Sequence, residues 1–168
     1  MLNHERAFEA RPDVAEAWRG LNGAIKSNMD LRRYELATVA AARRLRSSYC
    51  VLAHGSVLMD QDLVTPGELQ AIVADHRDAG LDEVDVAIMD LAEKVVDDAG
   101  AITDADRDRL RALGLTDEEV FDVVLAATAR CFYSKTLDAM DVRADSKYAE
   151  LDPELRETLV VGKPIAES

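Results

Sequence analysis

Arg43-Arg44-Leu45-Arg46-Ser47-Ser48-Tyr49-Cys50-Val51-Leu52-Ala53-His54 is the stretch on which the fold turns. Upstream of it, Leu31 to about Leu45 is rich in alanine and apolar on several sides, with Leu36, Val39 and Ala40, which suits a central helix better than a peripheral one. Arg43, Arg44 and Arg46 place cations at the carbonyl end of that helix, and Ser47 or Ser48 is a good N-cap for a new one. A break there puts Cys50 in the first turn of the second helix, where unpaired backbone N–H groups and the helix dipole favour a thiolate. Positions i and i+4 share a helical face, so Cys50 and His54 can approach each other, and Ser47, three residues before Cys50, falls on the same face. The break matters equally for Glu35. On one continuous helix Glu35 would lie about 22 Å from Cys50 at 1.5 Å per residue. With a reversal between Leu45 and Ser48, Glu35 can fold back toward His54 and orient it.

Working outward, helix punctuation is dense and strand signals are almost absent. Thr65-Pro66-Gly67-Glu68 is a capping box with proline at the first helical position, opening a helix expected to stop near Gly80. Asp82 can cap the next segment, where Val84, Ala87, Ile88, Leu91, Val95 and Val96 recur at helical spacing until Gly100. Thr103 starts a short helix that Gly114 ends. Thr116-Asp117-Glu118-Glu119 opens a long helix to about Met140, with Phe121, Val124, Leu125, Thr128 and Phe132 on one side and Cys131 expected in the core. Pro12 starts a helix with Val14, Trp18, Leu21 and Ile25 on its inner face, and Asp152-Pro153 begins a last short one closed by Gly162 and Pro164. The expected fold is all-α, one domain over residues 1–168 with its core at about 10–143 and a C-terminal helix and tail at 144–168.

The chain has 168 residues, a size that typically buries roughly 70% of its unfolded surface. Thirty-three acids against twenty bases leave a net charge of −13, which argues against nucleic acid and anionic membrane surfaces as partners. No apolar run approaches the roughly 20 residues of a membrane span, and the polar start has no apolar leader segment. Two cysteines separated by eighty residues cannot form a disulfide framework. A cytoplasmic protein with free thiols is the expectation. The acidic clusters sit at helix starts, where capping explains them better than metal ligation, so no metal or cofactor is expected. Of the three histidines, His4 in the terminal segment and His76 in a polar turn read as solvated surface, which leaves His54.

Glu35-x11-Ser47-x2-Cys50-x3-His54 resembles the motif of the AhpD-like, or carboxymuconolactone decarboxylase, superfamily, whose redox members carry Glu-x11-Cys-x2-Cys-x3-His. Leu110-Arg111-Ala112-Leu113-Gly114-Leu115-Thr116-Asp117-Glu118-Glu119-Val120 is also similar to the C-terminal part of its longer, peroxidase-related members, so the resemblance runs from about residue 10 to residue 143. The resemblance implies an AhpD-like helical bundle, homo-oligomers such as trimers or hexamers, and a thiol that acts on peroxides through a Glu–His relay. Carried over, Cys50 is the peroxide-reacting cysteine, His54 its acid/base partner and Glu35 the residue behind His54. Ser47 departs from the pattern: it stands where the redox members have the cysteine that resolves the oxidised thiol. A hydroxyl cannot form that disulfide, so an oxidised Cys50 needs an external thiol reductant. Tyr49 stands where a second histidine would extend the proton relay.

Three functions remain open at this point. The first is a peroxidase-like oxidoreductase that uses Cys50, a small peroxide substrate and an external thiol. The second is a decarboxylase-like lyase in which His54 moves the proton. The third is a non-catalytic, oligomeric or small-molecule-binding member of the fold, with Cys50 a small buried hydrophobe and Glu35 paired with Arg32 or Arg33. Apolar residues around the whole circumference of Leu31–Leu45 and Val51–Met59 point to a homo-oligomer.

Overall fold

A computed structural model describes residues 1–167. Among them the chain forms nine α-helices and no strand: α1 (Asn3–Ala7), α2 (Pro12–Ser27), α3 (Leu31–Arg44), α4 (Ser48–Asp60), α5 (Pro66–Asp75), α6 (Glu83–Asp98), α7 (Asp104–Ala112), α8 (Asp117–Ala139) and α9 (Pro153–Leu159). Short 3-10 turns follow α6 and precede α9. The starts are built as the sequence dictates. Thr65, Asp82 and Thr116 accept the backbone N–H of Glu68, Asp85 and Glu119, each cap contributing about 1 kcal/mol. Pro12, Pro66 and Pro153 occupy first-turn positions where a missing N–H costs nothing. No helix of the described residues is long and apolar enough to cross a membrane.

α3 is the axis of the fold and packs against α4, α6 and α8. Every residue from Tyr34 to Ala42 is buried. Its alanines let neighbouring backbones come close, and its one acid, Glu35, is carried into the interior with them.

The reversal between α3 and α4 is a Schellman turn. Ser47 N–H donates to the Ala42 carbonyl at 2.9 Å and Arg46 N–H to the Arg43 carbonyl at 2.9 Å, with Arg46 left-handed at φ 58°. Glycine is usual at such a position, and a side chain there costs roughly 1 kcal/mol. The C-terminal tail clamps the turn: Gly162 N–H donates to Ser48 Oγ at 2.8 Å. A Cβ on Gly162 would lie 1.9 Å from the Arg46 carbonyl oxygen, so only glycine permits this approach. The turn that folds α4 back along α3 is therefore held by its own backbone bonds and by the C-terminal tail.

Several expectations are corrected. α5 stops at Asp75 rather than near Gly80, because His76 turns inward. His76 is fully buried, its Nε2 2.9 Å from Asp90 Oδ1, and Asp90 also receives Arg77 and Arg109. That ionic cluster supplies the partner which a turn of apparently solvated residues hid. His4 is not a loose surface residue either: Asn3 N–H donates to Asp145, and His4 Nδ1 lies 2.7 Å from the Tyr133 hydroxyl. Leu21 points outward at 53% exposed, while Trp18 and Ile25 face the core. α8 presents Val120, Val123, Ala126, Ala127 and Leu137 to the interior, so Phe121 and Phe132 of the expected face are exposed. The alanines fit against α3 and α6, where phenylalanines could not. Cys131 is only half-buried on that turned-out side, not in the core.

Candidate active site

Glu35 projects from the second turn of α3 and is fully buried. An isolated buried carboxylate would be protonated or destabilising. Both of its oxygens are instead occupied: Oε2 lies 2.5 Å from His54 Nδ1 and Oε1 accepts from Lys26 Nζ at 2.9 Å. Burial alone would raise the Glu35 carboxyl, and the contacts to His54 and Lys26 outweigh it and hold it below the usual glutamate range. Of the alternative partners, Arg32 pairs instead with Asp85 at 2.9 Å, and neither arginine bonds Glu35. An ionised Glu35 fixes the tautomer of His54, with Nδ1–H donating to the carboxylate and Nε2 left as a lone pair.

Burial, followed by the positive charge of Arg130, pushes His54 down to about 4, against the upward pull of Glu35. The imidazole is thus neutral at pH 7 and able to accept a proton. Tyr34, the residue before Glu35, sets its ring edge-on to His54 at 6.2 Å and donates its hydroxyl to Asn22 at 2.7 Å, which closes one flank.

Cys50 lies in the first turn of α4, one helical turn before His54, and is 2% exposed. Its Sγ accepts from Arg130 Nη1 at 3.6 Å. Arg130 comes from the middle of α8 and is 3% exposed. Its guanidinium carbon stands 5.8 Å from the ring centre of Trp18 and 5.6 Å from that of Tyr133, two rings that stack on each other at 4.6 Å. Ser47 occupies the N-cap position of α4, fully buried, without making the side-chain cap bond. Its place, three residues before Cys50, is the one expected from the sequence. Tyr49 turns away from the thiol, bonding the carboxylate of Asp145 and accepting the backbone N–H of His4 at 3.3 Å. Burial and that carboxylate push Tyr49 above the usual tyrosine range, so it remains a neutral phenol.

The structure therefore joins Glu35 to His54, sets Cys50 one turn and Ser47 two turns before His54 at the start of α4, and adds Lys26, Tyr34, Trp18 and Arg130 around them, which the sequence does not single out. Arg130 left a trace: it is the lone cation in Ala126-Ala127-Thr128-Ala129-Arg130-Cys131-Phe132-Tyr133, at a core-facing position of an apolar helix. The second free thiol, Cys131, follows Arg130 directly and so points about 100° away around the helix. Burial pushes that thiol up.

Two solved structures share this architecture. One is titled alkylhydroperoxidase AhpD core, an uncharacterized peroxidase-related protein from Ralstonia eutropha JMP134; it superposes with a TM-score of 0.80 at 22% identity over 97% of this chain and 83% of its own. The other is an uncharacterized peroxidase-related protein from Silicibacter sp. TM1040, with a TM-score of 0.73 at 22% identity over 80% of this chain and 72% of its own. No curated protein matches the chain. Residues 12–94, which contain Glu35, Ser47, Cys50 and His54, match the model of the carboxymuconolactone decarboxylase family. The all-helical fold is AhpD-like, and the chain belongs to the carboxymuconolactone decarboxylase (AhpD-like) family.

Proposed function

We propose that the protein is a thiol-dependent peroxidase in which Cys50 is the reacting sulfur, His54 moves its proton and Glu35 orients His54. The observation that carries this reading is the part-buried Glu35–His54 bond one turn from Cys50, which engages Nδ1 and leaves Nε2 of the imidazole to take a proton. His54 accepts the thiol proton. The thiolate attacks one oxygen of a hydroperoxide, an S–O bond forms and the O–O bond breaks. Sulfur is oxidised to a sulfenic acid, the peroxide is reduced to an alcohol or water, and the leaving oxygen takes the proton back from His54. With serine at position 47, no local disulfide follows. An external thiol condenses with the sulfenic acid, releasing water, and a second thiol regenerates Cys50 as a mixed disulfide exchanges.

The test is consumption of hydrogen peroxide and an alkyl hydroperoxide, with and without a small thiol. The parent should oxidise once per subunit and then stall without the thiol, turning over when it is supplied, and Cys50→Ser should do neither. Peroxide loss that is indifferent to Cys50, or a Cys50 that is never oxidised, refutes the reading. The lyase alternative would instead show substrate decarboxylation that survives Cys50→Ser and fails in His54→Asn.

A further inference from the structure

Arg130 is the unexplained group of the interior. A guanidinium withdrawn from water costs several kcal/mol unless an anion answers it, yet no carboxylate among the described residues lies within ion-pair distance of Arg130, and its Nε has no hydrogen-bond partner. The rings of Trp18 and Tyr133 offer only cation–π attraction. The ionisable groups that face it are Cys50 and His54 from α4, Tyr34 from α3, Tyr133 from its own helix and His4 from α1. Cys50 alone can supply a negative charge at hydrogen-bonding distance, 3.6 Å from Nη1.

We propose that Arg130 is a catalytic residue of this site: its guanidinium is the counter-ion of the Cys50 thiolate and, during attack, of the oxygen that leaves. The assignment deepens the peroxidase reading and rests on it for the second half. The first half, the thiolate and its counter-ion, needs no peroxide: Cys50 gives its proton to His54 and the charge left on sulfur is met by Arg130. The orphaned Nε gives the site a spare N–H group for an anionic oxygen next to sulfur. The leaving alkoxide meets that donor before it recovers the proton held by His54.

The assay is alkylation of Cys50 in a Cys131→Ala background, comparing anionic iodoacetate with neutral iodoacetamide at pH 7.5 and reading the modified peptide by mass spectrometry. A fixed cation beside the sulfur draws the anionic reagent, so the iodoacetate-to-iodoacetamide rate ratio should exceed that of free cysteine. Arg130→Met should slow iodoacetate by roughly tenfold or more and bring the ratio down to that of free cysteine, and Arg130→Lys should recover part of it. A parent ratio no higher than that of free cysteine overturns the proposal without any variant. An unchanged ratio in Arg130→Met, as a packing role would give, overturns it too. No peroxide is used, so a protein with the high ratio and no peroxide turnover would sink the peroxidase reading and leave the thiolate–Arg130 pair standing.

Discussion

Mild acid should destabilise this protein through one side chain, His54. In the unfolded chain its imidazole has the ordinary value of 6.5, and in the folded site burial and Arg130 hold it at about 4. A base whose folded value is depressed binds its proton first in the unfolded state, so stability is intact above pH 6.5 and is lost as pH falls toward 4. Each full unit in that window costs about 1.4 kcal/mol. Between pH 7.5 and pH 5 the His54 contribution amounts to about 2 kcal/mol, a large part of a typical domain's stability. His54→Asn removes the titration while keeping an amide N–H near the position of Nδ1 for Glu35. Urea unfolding of parent and variant, measured at both pH values, gives the difference of differences. His4, also lowered by burial, and the surface acids titrate in both proteins and cancel. The variant should lose about 2 kcal/mol less than the parent over this interval. Equal losses would mean that folding does not depress His54, and a parent that loses less than the variant would mean that His54 is already protonated against Glu35 in the native state at pH 7.5; the neutral-base assignment falls with the second result.

The other expectations concern the same neighbourhood. Glu35→Gln keeps the shape but removes the charge that orients His54 and pairs with Lys26, so peroxide-dependent oxidation of Cys50 should slow by roughly 10- to 100-fold in stopped-flow; an unchanged rate would leave Glu35 a purely structural acid. Ser47→Cys should form a disulfide with Cys50 after one equivalent of peroxide, since the two positions are one helical turn apart, and a stable sulfenic acid in that variant would mean the side chains diverge. Gly162→Ala must push the tail off the Arg46 carbonyl, which should cost about 1–3 kcal/mol and lower the melting temperature, whereas a neutral result would show the tail to be free of the turn. Light scattering should give a multiple of the 18.4 kDa subunit mass, with Leu21, Phe121 and Phe132 as the apolar surface to be covered; a monomer at micromolar concentration would refute assembly.

The helix starts and the central reversal were legible because they depend on local chemistry. A threonine with an acid three residues on, or cations before a serine pair, acts over one turn of backbone. The Glu35–His54 contact followed from those local facts, since a reversal after α3 leaves a residue two turns up that helix within reach of the next one. Faces were harder to read. α8 is apolar on more than one side, so periodicity could not choose between its phenylalanine face and its alanine face; the tight fit against α3 and α6 chose. The surplus of apolar residues in α4 misled in a similar way. Val51, Leu52 and Leu58 are fully buried within one chain, enclosed by α3, α5 and α9, and need no second copy. His76 was hidden for the opposite reason, because its partner Asp90 lies on another helix.

Arg130 lies eighty residues from Cys50 in sequence, which is why no spacing rule could find it, and its presence changes the division of labour in the site. Where a histidine is the only cation beside a reactive cysteine, the imidazolium must be the counter-ion, and the pair loses its charge separation as pH rises. Here the permanent cation comes from α8. A guanidinium stays charged at every working pH, and its field, after burial and with that of Lys26, helps keep His54 neutral. On the proposed assignment His54 is thereby released from neutralising the sulfur and serves as a shuttle that binds a proton weakly and returns it readily. The cost is a buried charge that must always have an anion. Oxidation of Cys50 to a neutral sulfenic acid removes that anion and leaves Arg130 uncompensated until an external thiol restores the thiolate. With serine at position 47, no internal disulfide can intervene, so the oxidised protein should be less stable than the reduced one, and reduction is favoured by the same buried cation that activates the sulfur.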